Sequence, residues 1–170
     1  MQGSLDEFLE QVARRGSWVG GGCVAALSAA LAGALLEKLV VRPGTSRALR
    51  RRRVECVRLI ERDAATFAAV IQATRHHNRR GFQRSLKVAT EVPCRVFEHA
   101  QVIQAACRMA TRTVKPRFQS DLRCAMALAL AAGESARTLI ETNLAWLNDP
   151  RYTKKIRNRL QQASRANVRR

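Results

Sequence analysis

The sequence is poor in residues that break helices and in residues that build sheets. Only 4 prolines and 9 glycines occur in 170 residues, and aromatic residues make up 5%. No run of alternating β-branched residues is present, which argues against a half-buried sheet. Hydrophobic residues nevertheless reach 46%, enough for one sizeable core of aliphatic and small side chains. The composition therefore predicts a single all-α domain over residues 1–170.

Patterns for metal binding, disulfides and export are also weak. The 5 cysteines are an odd number without C-x-x-C spacing, so neither a disulfide framework nor a zinc site is expected. Reduced thiols in a cytoplasmic protein fit better. His76, His77 and His99 have no accompanying ligand set, so we expect no metal. The N-terminus lacks a signal-peptide pattern, and the apolar run before Glu37 is predicted to be too short for a membrane span.

Acidic residues are scarce: 13 Asp and Glu face 31 Lys and Arg, which gives a formal charge of +18. A charge of this size attracts polyanions, whether nucleic acid, an anionic membrane or a small polyanionic ligand. Basic residues are densest at Arg47–Arg53 and in the tail from Arg151 to Arg170. The first group can bind phosphates or can simply be a solvated helix face. No known nucleic-acid motif is present, and few aromatics are available for stacking.

Hydrophobic periodicity and cap signals predict a bundle of about six to seven helices. Ser4-Leu-Asp-Glu7 is a capping box, Pro43 and Gly44 are expected to end the second helix, and Pro93 is expected to divide two helices. Ser120 and Asp149 are the expected N-caps of the last two helices. The predicted helices cover residues 5–14, 23–41, 46–74, 82–91, 93–114, 121–148 and 150–166.

Three consecutive glycines, Gly20, Gly21 and Gly22, precede the most apolar helix. Residues 24–36 are small or apolar on every side, which predicts a buried, Ala-rich central helix. The loop would present unpaired N–H groups at the positive end of a helix dipole, able to hold an anion or a polar ring edge. A tight turn and close packing explain the glycines equally well. Cys23, at the helix start, should have a lowered pKa, but no base partner can be placed, so a small packing residue is the simpler interpretation.

Asp63 is the best candidate for acid/base chemistry. It shares a helical stripe with the apolar residues Cys56, Ile60, Phe67 and Val70. Burial of a carboxylate is costly and raises its pKa toward neutrality, where it can transfer protons. The alternative is an aspartate at the edge of the stripe, paired with one of the many arginines.

An ordered set of short motifs resembles the C-terminal family of formiminotransferase-cyclodeaminase, which also includes methenyltetrahydrofolate cyclohydrolases. The matching motifs are Ser4-Leu-x-x-Phe-Leu9, Gly20-Gly-Gly-Cys-Val-Ala-Ala-Leu27, Asp63-Ala-x-x-Phe67, Val92-Pro93, Ser120-Asp121 and Asn143-Leu-x-x-Leu-x-Asp149. They occur in the family's order and cover most of the chain.

The resemblance implies an all-helical homodimer that binds a tetrahydrofolate derivative as substrate, with no further cofactor. Asp63 falls on the aspartate assigned to catalysis. Gly20–Gly22 and Cys23 fall on the loop beside the folate, and Asp121 and Asn143 fall on other family motif positions. The reaction would be that of a cyclohydrolase or of a cyclodeaminase. A polyglutamylated folate would be compatible with the charge of +18.

The chain also departs from the family pattern. Cys23 stands where serine is usual, Leu139 stands where asparagine is common, and the T-x-G-[KR] segment is replaced by Arg42-Pro43-Gly44. These departures favour a second hypothesis, in which the fold is kept, the site has decayed and the surface binds an acidic partner. The high charge supports a third, a helical nucleic-acid binder.

Overall fold

The structure, a computed structural model, describes residues 4–168 of the chain, with side chains described through Asn167. Six α-helices and one 3-10 turn follow one another, and no strand occurs in this range. The all-α prediction is confirmed. The elements are α1 (Leu5–Ala13), α2 (Gly21–Leu39), α3 (Pro43–Arg75), α4 (Arg79–Ala110), the 3-10 turn (Pro116–Phe118), α5 (Gln119–Trp146) and α6 (Pro150–Val168).

Helix α2 occupies the centre of the bundle, where it packs against α3, α4 and α5. Its many alanines are buried and allow the neighbouring helices to come close. The prediction that it is buried on every side is wrong. Val24 is 39% exposed and Leu31 is 47% exposed, and their seven-residue spacing leaves one narrow apolar face of α2 open.

By length and composition alone, α2 could cross a membrane, and it is the single helix of residues 4–168 that could. The prediction that this apolar run is too short to span a membrane is therefore wrong. However, 56% of its most apolar window is buried inside the bundle, as expected for the core helix of a folded domain. The burial, and not the length, is what favours a core helix.

Two prolines lie at positions that differ from the prediction. Pro43 begins α3 and does not merely end α2, because the N–H that proline lacks would be unpaired in the first helical turn. Pro93 lies inside a continuous α4, so the two helices predicted around it are one. Proline removes a backbone hydrogen bond there. Val92, Pro93 and Cys94 are all buried, and this packing offsets the loss.

The start of α5 also differs from the prediction. Ser120 lies within the helix, and Phe118 at the end of the 3-10 turn takes the N-cap position. The Gln119 side chain donates hydrogen bonds to the carbonyls of Thr111 and Val114, in the segment that follows α4. These bonds connect the first residue of α5 to the segment before the 3-10 turn.

Helix α6 is held against the bundle by part of its own positive charge. Asp149 accepts a hydrogen bond from the backbone N–H of Tyr152, as expected of an N-cap. Arg159 forms ion pairs of 2.6 Å with Glu91 and 2.5 Å with Glu98, both on α4. Part of the basic tail is therefore structural and not available to a polyanion.

Candidate functional site

Asp63 on α3 lies directly over the N-terminus of α2. A Cβ added at Gly22 would overlap both carboxylate oxygens of Asp63. No side chain other than hydrogen fits at position 22 while Asp63 keeps this position. The third glycine of the predicted loop is thus required by the close approach of an acidic side chain, and the sequence stripe that contains Asp63 faces α2.

Cys23 forms the polar contact of this carboxyl group. Its Sγ lies 3.4 Å from Asp63 Oδ2 and 3.4 Å from the Ile60 carbonyl oxygen, so the thiol can donate to either. Burial, more than any other cause, raises the pKa of the Cys23 thiol to about 11, and the Asp63 charge adds to the rise. The predicted lowering by the helix N-terminus is wrong, because desolvation of the thiolate outweighs the dipole. Cys23 is a neutral hydrogen-bond donor and not a nucleophile at neutral pH.

The pKa of Asp63 is raised above its ordinary value. Burial is the largest cause, while the thiol and the backbone N–H of Cys23 act in the opposite direction by stabilising the charged form. No arginine forms an ion pair with Asp63 within residues 4–168. The alternative of an arginine-paired aspartate therefore has no support, and the carboxyl group can change protonation without breaking a salt bridge.

Helix α5 provides the other side of the glycine loop. A Cβ at Gly21 would lie 3.9 Å from Leu139 Cδ2. Leu139 is therefore placed beside the glycines. Asn143 follows one turn later on the same face of α5, is half-buried, and its side chain makes no hydrogen bond to any described residue. Asn143 thus offers a free amide near the loop.

An aromatic pair that the sequence reasoning missed lies next to these residues. Trp18 and Phe67 meet edge to face, with ring centroids 6.5 Å apart. The guanidinium of Arg75 lies 5.9 Å from the Trp18 ring centroid. Phe67 follows Asp63 by one helical turn and is 44% exposed, and Trp18 is 36% exposed. A tryptophan two residues before the glycines was the available signal.

Asp121 is not brought to this cluster. It forms an ion pair of 2.8 Å with Lys38 near the C-terminal end of α2, about 24 Å along the helix from Gly22. Its assignment to the substrate site stays a prediction. Among residues 4–168, no group of three or more His, Cys, Asp or Glu side chains is arranged to hold a metal ion.

Together these residues form a cluster of polar and aromatic groups at the start of α2. A half-buried carboxyl group with a raised pKa lies beside a thiol donor and the first turn of a helix, with an amide and two exposed aromatic rings nearby. Such a site can hold a polar ring edge and exchange a proton with it. The molecule is thus an all-helical domain with a carboxyl group seated on a glycine loop.

Comparison with known proteins supports one family. The family model of formiminotransferase-cyclodeaminase matches residues 4–162. The chain therefore belongs to the formiminotransferase-cyclodeaminase family, as the sequence motifs predicted.

A solved structure has the same fold. The crystal structure of formiminotetrahydrofolate cyclodeaminase from Thermotoga maritima superposes with a TM-score of 0.89 at 23% sequence identity, covering 99% of this chain and 91% of that one. Comparison with curated proteins gives no match.

Proposed function

We propose that this protein is a one-carbon folate enzyme, either a methenyltetrahydrofolate cyclohydrolase or a formiminotetrahydrofolate cyclodeaminase, with Asp63 as its acid/base. The observation that carries the proposal is the placement of Asp63: it is half-buried, forms no ion pair with an arginine among the described residues, and lies against Gly22. Family membership supplies the substrate class. Burial raises the pKa of Asp63 above its ordinary value, which makes this carboxyl group better suited to proton transfer than an exposed aspartate.

Both reactions occur at a single carbon, and both need proton transfer to or from the oxygen and nitrogen atoms bonded to it. In the cyclohydrolase, water adds to the amidinium carbon of 5,10-methenyltetrahydrofolate. The carbon–N5 bond then breaks to give the 10-formyl compound, with net release of one proton. In the cyclodeaminase, N10 attacks the formimino carbon, and protonation lets ammonia leave. Asp63 would take the proton from the adding water or N10 and return one to the leaving nitrogen.

The residues around Asp63 suit a flat ligand with polar edges. The Asn143 amide has no partner among the described residues, so it can bond to a ring nitrogen or carbonyl of the folate. The exposed rings of Trp18 and Phe67 offer apolar surface one turn from the carboxyl group. Arg75, above the Trp18 ring, can attract the carboxylates of a polyglutamylated folate.

A homodimer in the cytoplasm remains part of the proposal. The open face of α2 supports it, because Val24 and Leu31 expose apolar surface on an otherwise buried helix, and covering such surface favours association. Sedimentation equilibrium tests this directly: a wild type that is monomeric at assay concentration would contradict it.

A decayed site is the second candidate, and one contact favours it. Leu139 lies against Gly21 and puts an apolar group where a polar one would serve folate. Titration with 5-formyltetrahydrofolate discriminates, because a decayed site should show no saturable binding. Binding to an acidic protein or to a nucleic acid would then explain the surplus charge, and a steep dependence of retention on salt would identify the nucleic acid.

The experiment follows the loss of methenyl absorbance when 5,10-methenyltetrahydrofolate meets the wild type and Asp63→Asn. We expect the isosteric amide to preserve folding and to lower turnover by about 10²–10⁴-fold. If the wild type does not exceed the buffer rate, the 5-formimino substrate is tried with ammonia release as the readout. Equal turnover by wild type and variant would refute the role of Asp63.

A further inference from the structure

A second cluster of ionisable residues lies far from Asp63, in a cavity of about 280 Å³ between α3 and α4. The cavity wall contains three arginines and a single carboxylate, so its net charge is positive. Arg52 on α3 precedes Asp63 by three helical turns, about 16 Å along the axis. The cavity is lined by Ala48, Arg51, Arg52, Glu55, Arg95 and His99.

His99 is an incompletely bonded member of this wall. It is 7% exposed, and its Nδ1 lies 3.2 Å from Nη1 of Arg52. A guanidinium only donates hydrogen bonds, so Nδ1 must accept, and the proton of the neutral ring must lie on Nε2. That Nε2 is shielded from solvent and has no partner in the described part of the chain. A buried donor without an acceptor lowers stability.

The charges around the cavity also disfavour protonation of His99. Burial, and then the charges of Arg52 and Arg95, lower the pKa of His99 to about 4, although Glu55 and Glu98 act in the opposite direction. Glu55 is already engaged by Arg95 in an ion pair of 3.3 Å. The side chains that line the cavity thus include one carboxylate, paired with Arg95, against three guanidinium groups, which leaves an excess of positive charge in the lining.

We propose that this cavity is a binding site for an oxyanion, a phosphate or carboxylate group, held by Arg51, Arg52 and Arg95 beside His99. Arginine forks bind such groups through paired hydrogen bonds. Arg95 has five N–H donors, enough to serve both Glu55 and the ligand. A bound anion adds negative charge to this basic lining and favours the protonated form of His99.

The neighbouring space indicates what the anion is attached to. A second cavity of about 510 Å³ shares Ala48 and Arg52 with the first, and is otherwise lined largely by apolar side chains such as Leu49, Val102 and Met109. A ligand with an apolar body and an anionic head would fill both. The site therefore fits an organic phosphate or carboxylate better than inorganic phosphate. The inference does not depend on the proposed folate chemistry, because it uses none of its residues.

The test is calorimetric titration of the purified protein with inorganic phosphate and with hexyl phosphate at constant ionic strength. We expect one saturable site with a Kd for phosphate on the order of 1 mM or lower, and binding of hexyl phosphate at least about tenfold tighter. Arg51→Gln and Arg52→Gln should each weaken binding about tenfold. Arg50→Gln, which removes the same charge from an exposed neighbour outside the cavity, should not.

The His99 ring provides a readout that general charge attraction would not move. Saturating phosphate should raise the midpoint of the His99 titration, followed by NMR, by about one pH unit or more. Uptake that does not saturate, or the same loss in Arg50→Gln as in Arg51→Gln, would overturn the proposal. Equal affinity for phosphate and hexyl phosphate would overturn the apolar part of the ligand. None of these results bears on folate turnover, so the two proposals fail separately.

Discussion

Asp63 and His99 are both ionisable side chains that are partly or largely shielded from water. The neighbouring groups shift the pKa of the two side chains in different ways. Burial favours the neutral form of both, which raises the pKa of Asp63 and lowers that of His99. At Asp63, the thiol and backbone N–H of Cys23 oppose burial by stabilising the charge. At His99, Arg52 and Arg95 reinforce it. The effects on the pKa of Asp63 therefore partly cancel, whereas burial and the two arginines act together to keep His99 neutral until an anion binds.

The largest expected effect is at the glycine under Asp63. Gly22→Ala would place a methyl group inside the Asp63 carboxyl group, so this carboxyl group must leave its position or the two helices must separate. We expect turnover to fall by at least about 100-fold and the free energy of unfolding to fall by about 1–3 kcal/mol. Turnover assays and urea denaturation measure both.

Gly21→Ala is the matched control, because a Cβ there meets nothing closer than Leu139 Cδ2 at 3.9 Å. We expect its stability to stay within about 0.5 kcal/mol of wild type. If the two alanine variants behaved alike, the close approach of Asp63 to Gly22 would not be what the glycines serve.

The pH dependence of stability should separate the two groups by sign. The folded pKa of His99 is lowered from 6.5 to about 4, so the unfolded chain binds the proton first and stability is lost as the pH falls through that window. The folded pKa of Asp63 is raised, so stability is gained as the pH falls toward and through its ordinary value. Between pH 7 and pH 4, wild type should lose about 2–3 kcal/mol more than His99→Gln.

Asp63→Asn provides the opposite arm of that measurement. Removing a charge that burial disfavours should make the variant more stable than wild type at pH 7, with the advantage shrinking as the pH falls. Denaturant unfolding at a series of pH values measures both arms. A variant whose advantage grows toward low pH would show that the carboxylate is stabilised by its surroundings and not penalised by them.

The smallest expected effect is at Cys23. Cys23→Ala removes the donor to Asp63 Oδ2, one of the causes that hold the pKa of Asp63 down. The acidic limb of the pH–rate profile should therefore move upward by less than about one pH unit, while Cys23→Ser, which keeps a donor, should leave it in place. An unchanged limb in the alanine variant would remove the thiol from the site.

The helical class and the place of Asp63 could be predicted because both depend on periodicity. Apolar residues at helical spacing define the face of α3, and Asp63 on that face must lie against a neighbour. Local signals failed where packing overrode them. Pro93 lies inside α4 because its surroundings are buried, and the thiol of Cys23 has a raised pKa because desolvation outweighs the helix terminus.

Other features could not be predicted because they depend on which helices are neighbours. The contact of His99 with Arg52 joins residues 47 positions apart, and the sequence offered only three scattered histidines. The edge-to-face pair of Trp18 and Phe67 likewise needs α3 to pass the glycine loop. Asp121 matched a family motif, yet it lies at the other end of α2 with Lys38. A family motif indicates that a residue position is shared with the family, but it does not predict which other motif residues lie near it in the fold.

The most direct single measurement is the titration of the Asp63 carboxyl carbon by NMR in the wild type, compared with the pH–rate profile of the same protein. We predict a pKa above the ordinary value of aspartate that coincides with the acidic limb of turnover. An Asp63 that titrates at or below its ordinary value, or a limb that follows another group, would contradict the acid/base role assigned to it.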